Sequence, residues 1–192
     1  IGTLGLNFNN FSARNIFNGK SWSPLPSGDG QTISLRAQSN GLQFQSYSFS
    51  FTEPWLGGKK PTSLTVSIYH NIQTNGVPKN DPLRQSLYIT GINFGIGKRL
   101  KWPDDYFTLY QGIEFKRFNM QNYPTSFLDY TNGTSKSANY RVVLSRNSTD
   151  IPIFPSKGSQ FSLEAELTPP YSMFEEKDYE NISSEDKYEW IE

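Results

Sequence analysis

The chain has no cysteine among its 192 residues and a single histidine, His70. Without thiols, neither a disulfide framework nor a thiolate metal site can be built. One imidazole also excludes a two-histidine metal centre. Hydrophobic residues make up only 35% of the chain, against roughly 45–50% in an ordinary globular protein. Its apolar runs fall far short of the ~20 residues that a transmembrane helix needs. The opening Ile1-Gly2-Thr3 has neither the basic nor the apolar region of a secretory signal, so the expectation is a mature chain or an internal segment of an exported protein. An excess of one charge is missing too. Lys+Arg and Asp+Glu stand at 18 each, which provides no electrostatic footprint for nucleic acid.

Aromatic residues, by contrast, are abundant. They reach 15% of the chain, with 14 Phe, 11 Tyr and 4 Trp. Disordered chains share the low hydrophobicity but are poor in aromatics. Alternating strands with one polar face reconcile the two observations, because only every second residue must be apolar.

The period of the sequence is indeed two. Leu4, Leu6 and Phe8 alternate with polar or small residues, as do Ile33, Leu35 and Ala37. Tyr47, Phe49 and Phe51 alternate with serines and Thr52, and Leu64, Val66 and Ile68 with Thr65, Ser67 and Tyr69. Between Gln85 and Gly97 the apolar phase slips from Leu87 and Ile89 to Ile92, Phe94 and Ile96, which predicts a bulge or kink at Gly91. Phe107, Leu109, Ile113 and Phe115 share a face with Gln111, opposite Glu114 and Lys116. Tyr140, Val142 and Leu144 oppose Arg141, Val143 and Ser145, and Phe161, Leu163, Ala165 and Leu167 oppose Ser162, Glu164 and Glu166. A last strand is expected near Lys187–Ile191.

Turn signals separate the strands. Asn40-Gly41 marks a tight hairpin, and Trp55–Pro61 and Pro103-Asp104-Asp105 mark further turns. Longer polar stretches span Asn10–Gly30, Gln73–Arg84, Met120–Lys136 and Pro169–Asp186. No composition break divides the chain, so one domain is expected. Several strands run nearer ten residues than the ~5–6 of a sandwich, close to what a tilted membrane strand needs. Arg36, Glu114, Glu164 and Glu166 fall on the polar faces, where a barrel would place them in a wet lumen. A soluble antiparallel sandwich that stacks its aromatics on carbohydrate is the alternative; it would remain monomeric in plain buffer.

Three segments resemble a known family. Gly5–Phe17 is similar to the early barrel strand and turn of BamA-like proteins. Tyr47–Leu56, with Glu53-Pro54-Trp55 at its end, resembles that family's strand closing on an acidic residue, Pro and an aromatic. Arg146–Ser159 resembles its mid-barrel hairpin, in which Asp150 precedes Phe154-Pro155 and Gly158. The three occur in the family's order, and the Asn, Ser and Tyr bias resembles Bacteroidetes homologues.

The resemblance implies an all-β fold: an antiparallel transmembrane β-barrel, of which this chain supplies about eight to nine strands of sixteen. By that alignment Ile1 falls in the second strand and the C-terminus at the start of the tenth. The first strand, the last strands, the periplasmic POTRA repeats and an inward loop with an Arg-Gly-Phe motif would lie outside the chain. Asn10–Gly30 and Asp150–Gly158 would face the periplasm; Asn40-Gly41, Met120–Lys136 and Pro169–Asp186 would face outside. The implied role is folding and inserting barrel proteins in the bacterial outer membrane, without enzymatic activity or cofactor. The implied partners are outer-membrane lipid, nascent β-barrel substrates and accessory lipoproteins, and no nucleic acid. A related translocation pore, a TamA-like factor and a small passive barrel are the alternatives.

Read for chemistry, the residues offer little. His70 is placed at a strand end, as a surface histidine. Glu164 and Glu166 share a face at a spacing that could serve acid–base work, though a lumen wall explains them more simply. Asp104-Asp105 could form a calcium corner, but a turn beside Pro103 suffices. Asn132, Asn147 and Asn181 open glycosylation sequons of little weight in a bacterium. The resemblance adds one role: Asp105, or Asp104, is the candidate wall acid that would hold the arginine of the inward loop by a charge-assisted bond.

Overall fold

The computed structural model describes residues 2–58, 61–123, 132–151 and 153–169. Eight strands follow one another: β1 (Gly2–Phe11), β2 (Gln31–Asn40), β3 (Phe44–Glu53), β4 (Thr62–Thr74), β5 (Ser86–Arg99), β6 (Phe107–Gln121), β7 (Gly133–Asn147) and β8 (Gln160–Leu167). They form one sheet in chain order, each strand antiparallel to the next. From β2 to β8 the register has no shift; the one irregularity lies between Phe8 and Phe11 in β1. Connections alternate between two ends. Gly41–Gln43 joins β2 to β3 at one end, together with the loops after β4 and β6. The loops that follow β1, β3, β5 and β7 gather at the other, the Asp104 end.

Because side chains alternate across a strand, this register sorts every residue onto one of two faces. On one face, cross-strand neighbours run Leu6, Leu35, Phe49, Ile68, Ile92, Phe115 and Ala138. The parallel row runs Phe8, Ile33, Phe51, Val66, Phe94, Ile113, Tyr140 and Leu167. The apolar belt slides along the strands as it crosses the sheet. Leu6 is the middle of the three apolar positions in β1, yet its row meets Ala138, the first of four in β7. Tilted barrel strands require that slide if the belt is to stay level.

The belt has no protein cover. Leu4 is 76% exposed and Leu163 65%, and among the described strand residues only Leu87 and Met120 are buried apolar side chains. An apolar face this continuous exceeds the few hundred Å² that soluble monomers tolerate. The solvent that accepts it is hydrocarbon.

The opposite face carries Arg36, Tyr69, Glu114, Lys116, Arg141, Glu164 and Glu166. It also carries Gly91, Gly95, Gly97 and Gly112, which corrects one expectation. There is no bulge at Gly91: it pairs with Tyr69 and Lys116 in unbroken register. The apparent phase slip arises because inward positions become glycine while outward ones become Ile92, Phe94 and Ile96. Leu87 and Ile89 point inward near the Gly41 end, where Leu87 pairs with buried Met120. The glycines make room for rings. A Cβ on Gly91 would lie 2.3 Å from Cζ of Tyr69, and one on Gly95 2.2 Å from Oη of Tyr110. Tyr69, lying across Gly91, donates its hydroxyl to Glu114 Oε1 at 2.7 Å, and Glu114 Oε2 pairs with Lys116 Nζ at 2.9 Å.

Other boundaries also differ from expectation. β6 continues to Gln121 and β7 begins at Gly133, so both strands extend into the stretch read as a polar loop from Met120 to Lys136. There the outward face is polar, while Phe118 and Met120 lie on the inward face beside Ile89 and Leu87, so the outward alternation that marks the other strands is lost. His70 is not at a strand end, since β4 runs on to Thr74. The expected strand at 187–191, and all of 170–186, lie outside the described residues.

Replacing Gly91 by alanine should displace Tyr69 from the wall and cost about 1–3 kcal/mol, the usual penalty for overpacking. In a Tyr69→Ser background the same change should cost less than half as much. Urea unfolding of the full-length protein in detergent, for both single variants and the double, checks this. Equal penalties in the two backgrounds would show that the ring does not need the glycine.

Candidate functional site

The turn motifs converge at the Asp104 end. The connection from β1 to β2 is folded upon itself by polar contacts. Ser12 is fully buried; its hydroxyl donates to Asp29 Oδ2 at 2.6 Å and its N–H to Pro26 O at 2.9 Å. Gln31, also buried, bridges two turns. Its Oε1 accepts the Ala13 N–H at 2.8 Å, and its Nε2 donates to Glu53 Oε2 at 2.6 Å. The other oxygen of Glu53 accepts the Trp55 N–H at 3.0 Å. Thus Glu53 holds β2 and folds the chain over Pro54, which has no N–H to lose at the end of a strand. Trp55 is left half exposed at the rim, where an interfacial aromatic belongs.

Asp104 and Asp105 occupy the turn between β5 and β6, at the rim of the sheet rather than on its wall. Asp104 Oδ1 accepts the Tyr106 N–H at 2.9 Å. Its Oδ2 takes both Nε and Nη2 of Arg146, at 3.0 and 2.9 Å. Arg146 Nη1 donates to the hydroxyls of Ser148 and Ser159 at 2.9 and 2.8 Å. The guanidinium also lies 5.6 Å from the ring centre of Tyr106 and 5.8 Å from that of Phe107, within cation–π range. Arg146 therefore binds the β5–β6 turn to the β7–β8 turn. Sequence reasoning missed this role, because 42 residues separate the partners and only strand register brings them together. Asp105 contributes its carbonyl oxygen to Arg99 Nε and borders a hollow shared with Lys98, Lys101 and Trp102.

The third motif is a knot around Asp150. Its Oδ1 accepts N–H bonds from Ile151, Ser156 and Lys157, at 3.0, 3.0 and 3.1 Å. Phe154 has φ of 58° and Gly158 of 91°. A Cβ on Gly158 would lie 2.1 Å from the Ser148 carbonyl oxygen, so the backbone itself demands glycine there. Pro155 lies within the turn, clear of β8, and Phe154 is 89% exposed.

The remaining candidates stay apart from these turns. Glu164 pairs with Arg141 at 2.8 Å and Glu166 accepts from Asn139 Nδ2 at 2.6 Å, each bound to its β7 neighbour. His70 Nδ1 shares a hydrogen bond of 2.8 Å with Thr90 Oγ1, and its ring stacks on Tyr88 at 6.3 Å. Asn147 caps its own turn through Thr149, at 3.1 Å to the N–H and 2.7 Å to the hydroxyl; Asn181 lies outside the described residues. Among the described residues no three His, Asp or Glu side chains cluster as a metal site.

A meander with an uncovered apolar belt on one face, charged pairs on the other and polar knots at one rim is the wall of a transmembrane β-barrel. The model of the Omp85 superfamily domain matches residues 27–188, and the chain belongs to that superfamily. It is similar in structure to BamA from Haemophilus ducreyi lacking POTRA domains 1-3, with a TM-score of 0.56 and 17% identity over 88% of this chain. The match covers 31% of that BamA chain, so this chain spans about a third of its length. No curated protein matches the sequence. Family and fold place the protein in the bacterial outer membrane, in a superfamily of insertion and translocation proteins.

Hydrogen bonds from the backbone, that of Lys157 foremost, hold the Asp150 carboxyl below its ordinary value. A carboxyl depressed in the folded state adds stability that is complete above its unfolded pKa and is lost as pH falls through the folded one. The knot should therefore hold at neutral pH and loosen only below about pH 4. Amide exchange protection at Ser156 and Lys157 should fall in that acid range. An Asp150→Ala variant should lose it at every pH. Protection that survives in the variant would show that the carboxylate does not organise the turn.

Proposed function

We propose that this chain is part of the barrel of a BamA-like assembly factor, which folds and inserts other β-barrels into the outer membrane. The observation that carries the reading is the match to the BamA barrel over 88% of the chain, supported by the family turns at Glu53-Pro54-Trp55 and Asp150–Gly158. In this reading the chain runs from the second to the tenth of sixteen strands, and POTRA repeats precede it. The seam between first and last strands is the working edge, where an incoming strand pairs by β-augmentation. The eight strands are the continuous wall beside it. Its paired charges and knotted turns suit a part that stays fixed while an edge opens. The partners are nascent barrels, membrane lipid and accessory lipoproteins. Asp104 already neutralises Arg146, so the arginine of the inward loop falls to Asp105.

Depletion of the full-length protein in its own host tests the reading. Folded outer-membrane barrels, scored by heat-modifiable migration, should fall together, and the wild-type gene should restore them. The Asp105→Asn variant should restore them only partly. Normal barrel levels with loss of one secreted protein would instead identify a translocation pore. Full restoration by Asp105→Asn would remove the role given to that carboxylate.

A further inference from the structure

The outer face changes character at the Gly41 border of the belt. The row that begins on Leu4 in β1 ends on Arg117 in β6 and Lys136 in β7. These two cations stand directly opposite each other in the register, an arrangement that destabilises a sheet unless something lies between them. Both are exposed, and neither side chain has a hydrogen bond or ion pair among the described residues. By contrast, Lys116, Arg141 and Arg146 each hold a carboxylate.

Their surroundings specify the missing anion. Toward the Asp104 end, the same face continues through Phe115 and Ala138, opposite one another, and then Ile113 and Tyr140. Toward the Gly41 end it continues through Asn119 and Thr134. The cations thus sit where apolar surface gives way to polar, on the side that faces lipid. An occupant must offer negative charge at that border and hydrocarbon below it.

We propose that Arg117 and Lys136 form a headgroup site for an anionic membrane lipid. Its phosphate lies between the guanidinium, which can fork onto two phosphate oxygens, and the ammonium, which acts as a point charge. Its acyl chains run down over Phe115 and Ile113. A free phosphate would gain the charge contact but not the belt, so the lipid is the occupant. The inference rests on the membrane-facing side of the sheet and holds whether the protein inserts barrels or translocates chains.

The test reconstitutes the full-length protein in phosphatidylcholine bilayers containing a minor fraction of spin-labelled phosphatidylglycerol, with spin-labelled phosphatidylcholine as reference. The two basic residues of the site, at about 1 kcal/mol each, together favour an anionic lipid by about thirtyfold. Diluted over the whole boundary shell, this should appear as roughly twofold enrichment of phosphatidylglycerol in the motionally restricted fraction. R117Q/K136Q should abolish the enrichment and R117E/K136E should reverse it. Excess inorganic phosphate should leave it intact. Enrichment equal in wild type and R117Q/K136Q, no enrichment in the wild type, or its loss on adding phosphate would each overturn the proposal.

Discussion

Inside hydrocarbon, a backbone N–H or C=O has no partner but another backbone group, and each one left alone costs several kcal/mol. The fold follows from that constraint. A sheet that meets it must keep its ladder intact, so the register from β2 to β8 runs without a slip. The irregular pairing falls near the end of β1, between Phe8 and Phe11, beside the knotted connection to β2. With the backbone committed, sequence variety moves to the side chains. They divide into one face that lipid accepts and one that it does not.

Much of this was legible in the amino-acid order. Alternation such as Tyr47-Ser48-Phe49-Ser50-Phe51 states both that a strand exists and which face is greasy. The match is good wherever the belt passes, because only there does one face have to be apolar. Beyond the belt the signal fades. Arg117 to Gln121 and Gly133 to Ser137 are strand, yet their outward faces are polar: in the first the apolar residues, Phe118 and Met120, have moved to the inward face, and the second has none. Gly91 was misread for a related reason: an inward glycine looks like a lost phase until Tyr69 is seen lying across it. Motifs whose partners are close in sequence were readable, as with Asp150 and Gly158. The clamp of Arg146 on Asp104 was not, since it depends on two hairpins being neighbours.

The two rims divide the labour differently. At the Asp104 end, Gln31, Glu53, Asp104 and Asp150 each bind turn atoms, so the connections are built as small polar cores. Their contacts run between adjacent hairpins as well as within them, through the Gln31–Glu53 bridge and the Arg146 clamp. A load on one turn is thereby shared with its neighbour. At the other end the β2–β3 connection is three residues, Gly41–Gln43, and the wall's outer face ends in side chains aimed at lipid rather than at protein.

The inward glycines of β5 have a geometric consequence. Gly91, Gly95 and Gly97 leave the lumen side of β5 bare except at Asn93, with Gly112 beside it on β6. Sheets coil most readily where glycine removes the Cβ that would crowd the concave side. Curvature of the wall should therefore concentrate along this strand. Tyr69 and Tyr110 act as gussets across the crease, fixing how far it closes. The barrel's cross-section would then have a corner at β5 and flatter panels on either side, and the lumen's shape would be set by two rings resting on bare backbone.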